Sequence, residues 1–378
     1  MSRVGVMHVT DTLDAGGSER VAVNLCNLLP RERYRTYLCT TRRDGALAGE
    51  VASDVGRLRL GRRWRFDAAA LGRLAAFVRE HDIEILHAHG SALFVSGLAA
   101  MLPPRPLLVW HDHFGLPLET RSALFDRPLA RRARGVIAVS EPLADWSRRR
   151  LKVPAERVRY VPNFVCEPPA DLSTPELPGE RGARVVCVAN LRPQKDHLTL
   201  VRAMARVARG HASAHLLLVG ASIDAGYRAQ VEEEIARLGL ARRVTLLGGR
   251  RDVPAILRAC DIGVLSSVAE GLPLALIEYA NAGLAAVATR VGQCAEVLDE
   301  GRAGVLVPAG EPGHLAEAIL SLLGAQAERA ALGGSLRERA RRLYSAESIV
   351  RQVCEVYEQV LRARGGAGAA AKNGRGLN

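Results

Sequence analysis

Apolar runs of strand length alternate with helical patterns along nearly the whole chain, and the alternation breaks only once. Strands read at Arg3–Val9, Tyr34–Thr40, Ile83–His87, Leu107–Trp110, Gly135–Val139 and Val158–Val161. A proline-rich, acidic, aperiodic stretch follows. The pattern then restarts at Arg184–Ala189 and continues at His215–Val219, Val244–Leu247, Ile262–Leu265, Ala285–Ala288 and Gly304–Val307. Strands separated by helices in this way predict parallel sheets covered on both faces. The expected fold class is therefore α/β, with two Rossmann-like domains at 1–168 and 183–344 joined by a linker at 169–182. The length of 378 residues suits two domains of this kind. A last helix is expected at about Ala346–Leu361, and 365–378 reads as a disordered Gly/Ala tail.

Two such domains leave a central cleft at the carboxyl ends of their strands, where open α/β sheets bind ligands. Four groups of residues fall in those loops. Asp14-Ala-Gly-Gly-Ser-Glu-Arg20 follows the first strand, with Gly16 and Gly17 permitting close backbone approach and Ser18 placed to cap a helix of about Ser18–Leu29. It is not a Gly-x-Gly-x-x-Gly dinucleotide fingerprint. His87-Ala-His89-Gly90 and His111-Asp112-His113 end two later strands. Their i, i+2 spacing without a carboxylate or third ligand does not suit zinc, so hydrogen bonds to sugar hydroxyls or to a leaving phosphate are expected.

Asn190-Leu-Arg-Pro-Gln-Lys-Asp-His197 puts two cations, Arg192 and Lys195, in one loop, which suits a departing diphosphate. Glu270-Gly-Leu-Pro-Leu-Ala-Leu-Ile-Glu278 places one carboxylate before a helix and one inside it. Gly271 frees the backbone there, Pro273 fits the first turn, and Gly283 ends the helix. Glu278 is the one charge in an apolar helix, Leu272 to Ala282, and needs partners such as ribose hydroxyls.

In this order, Gly-Gly-x-Glu-Arg, His-x-His-Gly, Arg-Pro-x-Lys and Glu-x7-Glu resemble family 4 of the glycosyltransferases, over Val4 to about Leu361. The resemblance implies the two-Rossmann-domain GT-B fold, with the last helix (345–364) crossing back onto the first domain. It also implies retaining transfer from a nucleotide sugar, UDP-linked by preference, with no cofactor and no metal. By the same resemblance, Gly16 and Gly17 lie against donor phosphates and acceptor. His111 contacts the donor sugar near the reacting carbon, with His113 as its substitute. Lys195 binds the diphosphate, Glu270 the sugar hydroxyls and Glu278 the ribose. Gly271 and Leu272 belong to the donor side, and Glu19, His89 and His113 are acceptor-side candidates. One departure stands out: Asn190 occupies a position where the family commonly has arginine, and Arg192 is expected to replace it. Catalytic weight is thus expected on His111, Glu270 and Lys195. The alternatives are a nucleotide-sugar epimerase of similar fold and a non-catalytic sugar-binding protein.

The sequence has no Asp-x-Asp metal motif. Charge on the leaving phosphate is therefore expected to meet Lys195, Arg192, the Gly16–Gly17 amides and the dipole of the helix after Pro273. Retention is expected through attack on the face from which the phosphate leaves, a phosphate oxygen taking the acceptor's proton.

Charge and cysteines bound the setting. The net charge is +12, and residues 121–159 hold 11 Lys/Arg against 4 Asp/Glu. With Leu124, Phe125, Leu129, Leu143 and Trp146 among them, these charges predict a basic amphipathic surface for an anionic membrane face. No stacking-aromatic or recognition-helix motif accompanies it, so nucleic acid is not an expected partner. The seven cysteines are scattered without ligand spacing, as buried thiols in a reducing compartment. There is no export signal and no apolar run approaching about 18 residues. A cytoplasmic protein is expected, peripheral at the inner membrane face, with a glycan or lipid-linked acceptor.

Overall fold

The computed structural model describes residues 3–14, 16–114, 121–124, 126–164, 173 and 175–373, with side chains through Arg364. The chain divides into two compact units, Met1–Phe164 with Ala346–Asn378, and Val165–Ser345. Residues 169–172 and 174 of the expected linker, and Cys166, lie outside the described residues.

The first unit runs β1 (Val4–Thr10), α1 (Gly17–Leu28), β2 (Tyr34–Thr40), β3 (Gly56–Arg59), α2 (Ala68–Glu80), β4 (Ile83–His89) and α3 (Leu93–Ala99). It continues with β5 (Leu107–Asp112), α4 (Arg127–Ala130), β6 (Gly135–Ala138), α5 (Glu141–Arg149) and β7 (Val158–Tyr160). Its seven strands are parallel in the order β3-β2-β1-β4-β5-β6-β7. The central strands are buried on both faces, and one of these faces is largely apolar. At the edge, β3 is Gly-Arg-Leu-Arg with alternating exposure, so its sequence carries no apolar run to mark it.

The second unit comprises β8 (Arg184–Val188), α6 (His197–Gly210), β9 (His215–Val219), α7 (Ala225–Arg237), β10 (Val244–Gly248) and α8 (Val253–Arg258). β11 (Ile262–Leu265), α9 (Leu274–Ala282), β12 (Ala285–Thr289), α10 (Cys294–Val297), β13 (Val305–Val307), α11 (Pro312–Gly324) and α12 (Gln326–Tyr344) complete it. Six parallel strands lie in the order β10-β9-β8-β11-β12-β13. Side chains cap two of these helices: Asp196 accepts from the Thr199 amide at 3.2 Å, and Asp224 from that of Tyr227 at 3.0 Å.

The last helix, α13 (Ala346–Asn373), belongs to the first unit. Its stripe of Ile349, Val353, Val356, Tyr357 and Val360 is buried at helical spacing. Gly135 at the start of β6 admits this helix, since a Cβ there would sit 2.9 Å from Val356. Arg159 pairs with Glu355 at 2.8 Å and Arg33 with Glu358 at 2.5 Å. The helix runs past the expected end at Leu361 to Asn373.

The six cysteines among the described residues are free and buried. Among the described residues, no helix is long and apolar enough to cross a membrane.

Candidate active site

Strand alternation puts residues i and i+2 on one face, and parallel pairing carries that face across neighbouring strands. In the first unit this stacks histidines. His8 on β1 is in register with His87 on β4, and His89 with His111 on β5. The strands run further than the expected ends at His87 and Trp110: β4 and β5 extend to His89 and Asp112, so His89 and His111 lie within them as His87 does.

The rings of His87 and His89 stack at 4.6 Å, and those of His111 and His113 at 4.1 Å. Five hydrogen bonds link the rings to one another and to α13. His8 Nδ1 and His89 Nε2 lie 3.0 Å apart, His89 Nδ1 and His113 Nε2 3.0 Å, His87 Nε2 and His111 Nδ1 3.2 Å, His87 Nδ1 and the Tyr357 hydroxyl 2.5 Å, and that hydroxyl and His8 Nε2 3.4 Å. Burial pushes His8 and His113 down to about 3 and holds His87, His89 and His111 well below the ordinary range. These rings are neutral near pH 7. Their nitrogens also form two three-histidine groups compact enough for a metal ion, neither including a carboxylate.

His8 and Tyr357 were not anticipated. The lone polar residue in the buried run Val6-Met7-His8-Val9 was the signal for the first; nothing local in the last helix marked the second. Beside the cluster, Asp112 is buried against Arg121 at 2.6 Å. Burial raises the Asp112 carboxyl to about 6 despite that guanidinium.

The glycine loop differs from expectation in one respect. The N-cap of α1 is Gly16, and Ser18 is already helical, its hydroxyl donating to Glu19 at 2.7 Å. The Glu19 carboxylate folds over Gly16 so closely that a Cβ there would collide with it. Gly16, Gly17 and Glu19 therefore form one group, with an anion already at the positive end of the helix.

In the second unit, the loops after β8 and β11 bring the expected donor residues together. Lys195 Nζ lies 2.6 Å from Glu270 Oε1, and the Ser267 hydroxyl donates to that same oxygen at 2.6 Å. The Val268 amide donates to the Gln194 carbonyl at 3.0 Å, and Ser266 to that of Lys195 at 3.0 Å, which fastens the loops to each other. Gly292, at φ +51°, sits so tightly on the Glu270 carbonyl that no side chain fits. Gly271 accepts from the Gln293 amide at 3.1 Å, and Leu272 is buried in the core. Glu278 lies at the middle of α9, half-buried, while Glu270 precedes that helix.

Asn190 accepts from the Ala221 amide at 2.9 Å, so its side chain joins the loops after β8 and β9. Arg192 makes no ion pair with a carboxylate among the described residues, and its buried Nε has no hydrogen-bond partner there.

The 121–159 surface needs correction. Leu143 and Trp146 are core residues, and Phe125 lies outside the described residues. Arg121 is buried in its ion pairs, and Arg148 and Arg149 pair with Asp145 at 3.1 and 3.6 Å. Packing and carboxylates thus consume part of the expected patch. What stays together is Arg131, Arg132, Arg134 and Arg157, which with Arg105 line a cavity of about 390 Å³. None of these five forms an ion pair among the described residues.

A family model described as Glycosyltransferase Family 4 matches residues 15–166, and one described as Glycosyl transferases group 1 matches 182–325. The chain is 28% identical over 307 residues to an exopolysaccharide phosphotransferase of Streptomyces coelicolor. That match covers 79% of this chain but only 31% of the relative's length. It is 25% identical over 317 residues to the UDP-Gal:alpha-D-GlcNAc-diphosphoundecaprenol alpha-1,3-galactosyltransferase of Escherichia coli, covering 77% of this chain and 80% of that one. The crystal structure of Anabaena Alr3699/HepE in complex with UDP and glucose superposes with a TM-score of 0.80 at 22% identity. It covers 94% of this chain and 100% of that one.

Proposed function

Because the chain belongs to family 4 of the glycosyltransferases and has their GT-B fold, we propose that it transfers a hexosyl-type sugar, with retention, from a nucleotide diphosphate donor in cell-surface polysaccharide or glycolipid synthesis. UDP is the favoured nucleotide and a glycan or lipid-linked molecule the acceptor. The observation that carries this reading is the meeting of Lys195, Ser267 and Glu270 at the carboxyl ends of β8 and β11. The names of two similar proteins support it: one carries UDP-Gal and an undecaprenol diphosphate acceptor, the other is a complex with UDP and glucose.

Breaking a sugar–diphosphate bond puts negative charge on the leaving phosphate and positive charge on the anomeric carbon. Lys195 and Arg192 oppose the first, and the amino end of α9 adds the positive end of its dipole. Glu270 holds the sugar hydroxyls and Glu278 the ribose. Neither is assigned the proton, which passes from the acceptor hydroxyl to a phosphate oxygen as the new bond forms on the face the phosphate leaves. Gly16, Gly17 and His111 keep the roles that family membership gives them, with Glu19, His89 and His113 on the acceptor side. The arginine-lined cavity supports contact with an anionic membrane surface.

The test is a thermal-shift series with UDP, GDP, ADP and their hexose conjugates. A ligand at 100 times its Kd stabilises by about 2.7 kcal/mol. UDP and one UDP-sugar are expected to raise the melting temperature; no shift with any nucleotide would remove the reading.

A further inference from the structure

The hydrogen bonds of the histidine cluster can be followed from end to end. His113 meets His89, His89 meets His8, His8 meets the Tyr357 hydroxyl at 3.4 Å, Tyr357 meets His87, and His87 meets His111. A neutral imidazole has one donor and one acceptor nitrogen, so the direction of any one bond fixes all the others. The hydroxyl decides it. Tyr357 has one proton and two histidine partners, at 2.5 and 3.4 Å. Hydroxyl donors make the shorter bonds, and N–H donors seldom approach an oxygen below about 2.7 Å. Tyr357 therefore donates to His87 Nδ1 and accepts from His8 Nε2.

We infer that His113, His89, His8, Tyr357, His87 and His111 form one unidirectional hydrogen-bond wire that holds every histidine in it as the Nε2–H tautomer and makes His111 a fixed hydrogen-bond donor. Each link agrees: His113 Nε2–H donates to His89 Nδ1, His89 Nε2–H to His8 Nδ1, and His87 Nε2–H to His111 Nδ1. That leaves the His111 Nε2–H buried with no partner in the protein. An N–H so placed is presented to an oxygen of a ligand. His111 is thereby a donor to the sugar and not a base for the acceptor hydroxyl, since acting as a base would require the whole wire to reverse. Tyr357 and His8, which sequence motifs do not mark, become positioning residues. The hydroxyl that sets the direction comes from α13. A metal ion bound to either three-histidine group would take nitrogens that these bonds already use.

The role given to His111 rests on the proposed transfer reaction, but the tautomers do not, so the first test is independent of activity. The full chain is labelled with 15N-histidine and the ring nitrogens are recorded at pH 7 by long-range proton–nitrogen correlation. Five histidines with protonated Nε2 and bare Nδ1 are expected. An Nδ1–H tautomer or a cationic ring among these five would overturn the inference, as would one tightly held equivalent of added zinc. In Tyr357→Phe both halves of the wire lose the hydroxyl that sets their direction, and all five histidines are expected to become tautomer mixtures. With an active UDP-sugar, kcat should then fall about tenfold with KM little changed. Unaltered His87 and His111 signals in that variant would contradict the wire.

Discussion

Lys195 and Glu270, 75 residues apart in sequence, form an ion pair at 2.6 Å, with the glutamate side chain only 7% exposed and the lysine 20%. A carboxylate buried to that degree is costly unless paired, so the lysine stabilises the loop in which the glutamate sits. The cation proposed for the diphosphate and the carboxylate proposed for the sugar are thus one unit.

Lys195→Ala is expected to do two things. The proposed loss of charge at the leaving phosphate lowers kcat by about 10²- to 10³-fold. Leaving Glu270 with Ser267 alone lowers stability by about 1–3 kcal/mol. The variant Glu270→Gln, which keeps an acceptor for Ser267, should raise the donor KM with a smaller change in melting temperature. Steady-state kinetics and thermal melts separate the two effects.

Gly292→Ala should act on the same site from behind. A side chain there displaces the Glu270 carbonyl, and the φ of +51° disfavours it further. The donor KM is expected to rise although no ligand-facing group has changed. An unaltered KM would show that the position of Glu270 is not critical.

Arg192 and Asn190 separate by function. Arg192→Ala should cut donor turnover, because the unpaired guanidinium is proposed to replace the arginine absent at Asn190. Asn190→Ala should mainly cost stability, since it deletes the bond to the Ala221 amide. Unchanged turnover in Arg192→Ala would remove that assignment.

The histidine cluster sets an acid limit. Burial lowers His8 and His113 from the ordinary 6.5 to about 3, and His87, His89 and His111 move the same way. Between about pH 6.5 and 3 the unfolded chain binds protons that the folded protein refuses. Stability is therefore full above 6.5 and is lost as pH falls through that window. Asp112, raised to about 6, works in the opposite sense between 3.8 and 6, one carboxyl against five imidazoles. Melting temperature measured from pH 8 to 4 should fall steadily below 6.5, and His8→Gln should flatten the slope.

The two-sheet architecture was legible because apolar runs mark strands whatever they pack against, and the donor loops because Lys195, Glu270 and Glu278 sit in compact motifs. Other features depend on distant partners. β3 has a polar edge sequence, so only its pairing with β2 defines it. Ser18 had the chemistry of a cap, yet Gly16 took the position and Ser18 bonded Glu19 instead. Trp146 and Leu143 read as an amphipathic surface until the sheet buried them. Tyr357 acquires its meaning only from His87 and His8, 270 and 349 residues away.

Membrane contact should depend on the five-arginine cavity. Co-sedimentation with vesicles containing anionic lipid is expected, with little on neutral vesicles. Arg131→Glu combined with Arg134→Glu should abolish it, while Arg148→Glu, whose native side chain is already paired, should matter less. Equal binding to both vesicle types, or none, would count against the surface.

The central claim is retaining transfer sustained by protein cations. The most direct measurement is the anomeric proton coupling of the sugar product formed from an α-configured UDP-hexose in the presence of EDTA. An α-linked product, formed at an undiminished rate and lost in Lys195→Ala, is the predicted result; a β-linked product, or activity abolished by EDTA, would contradict it.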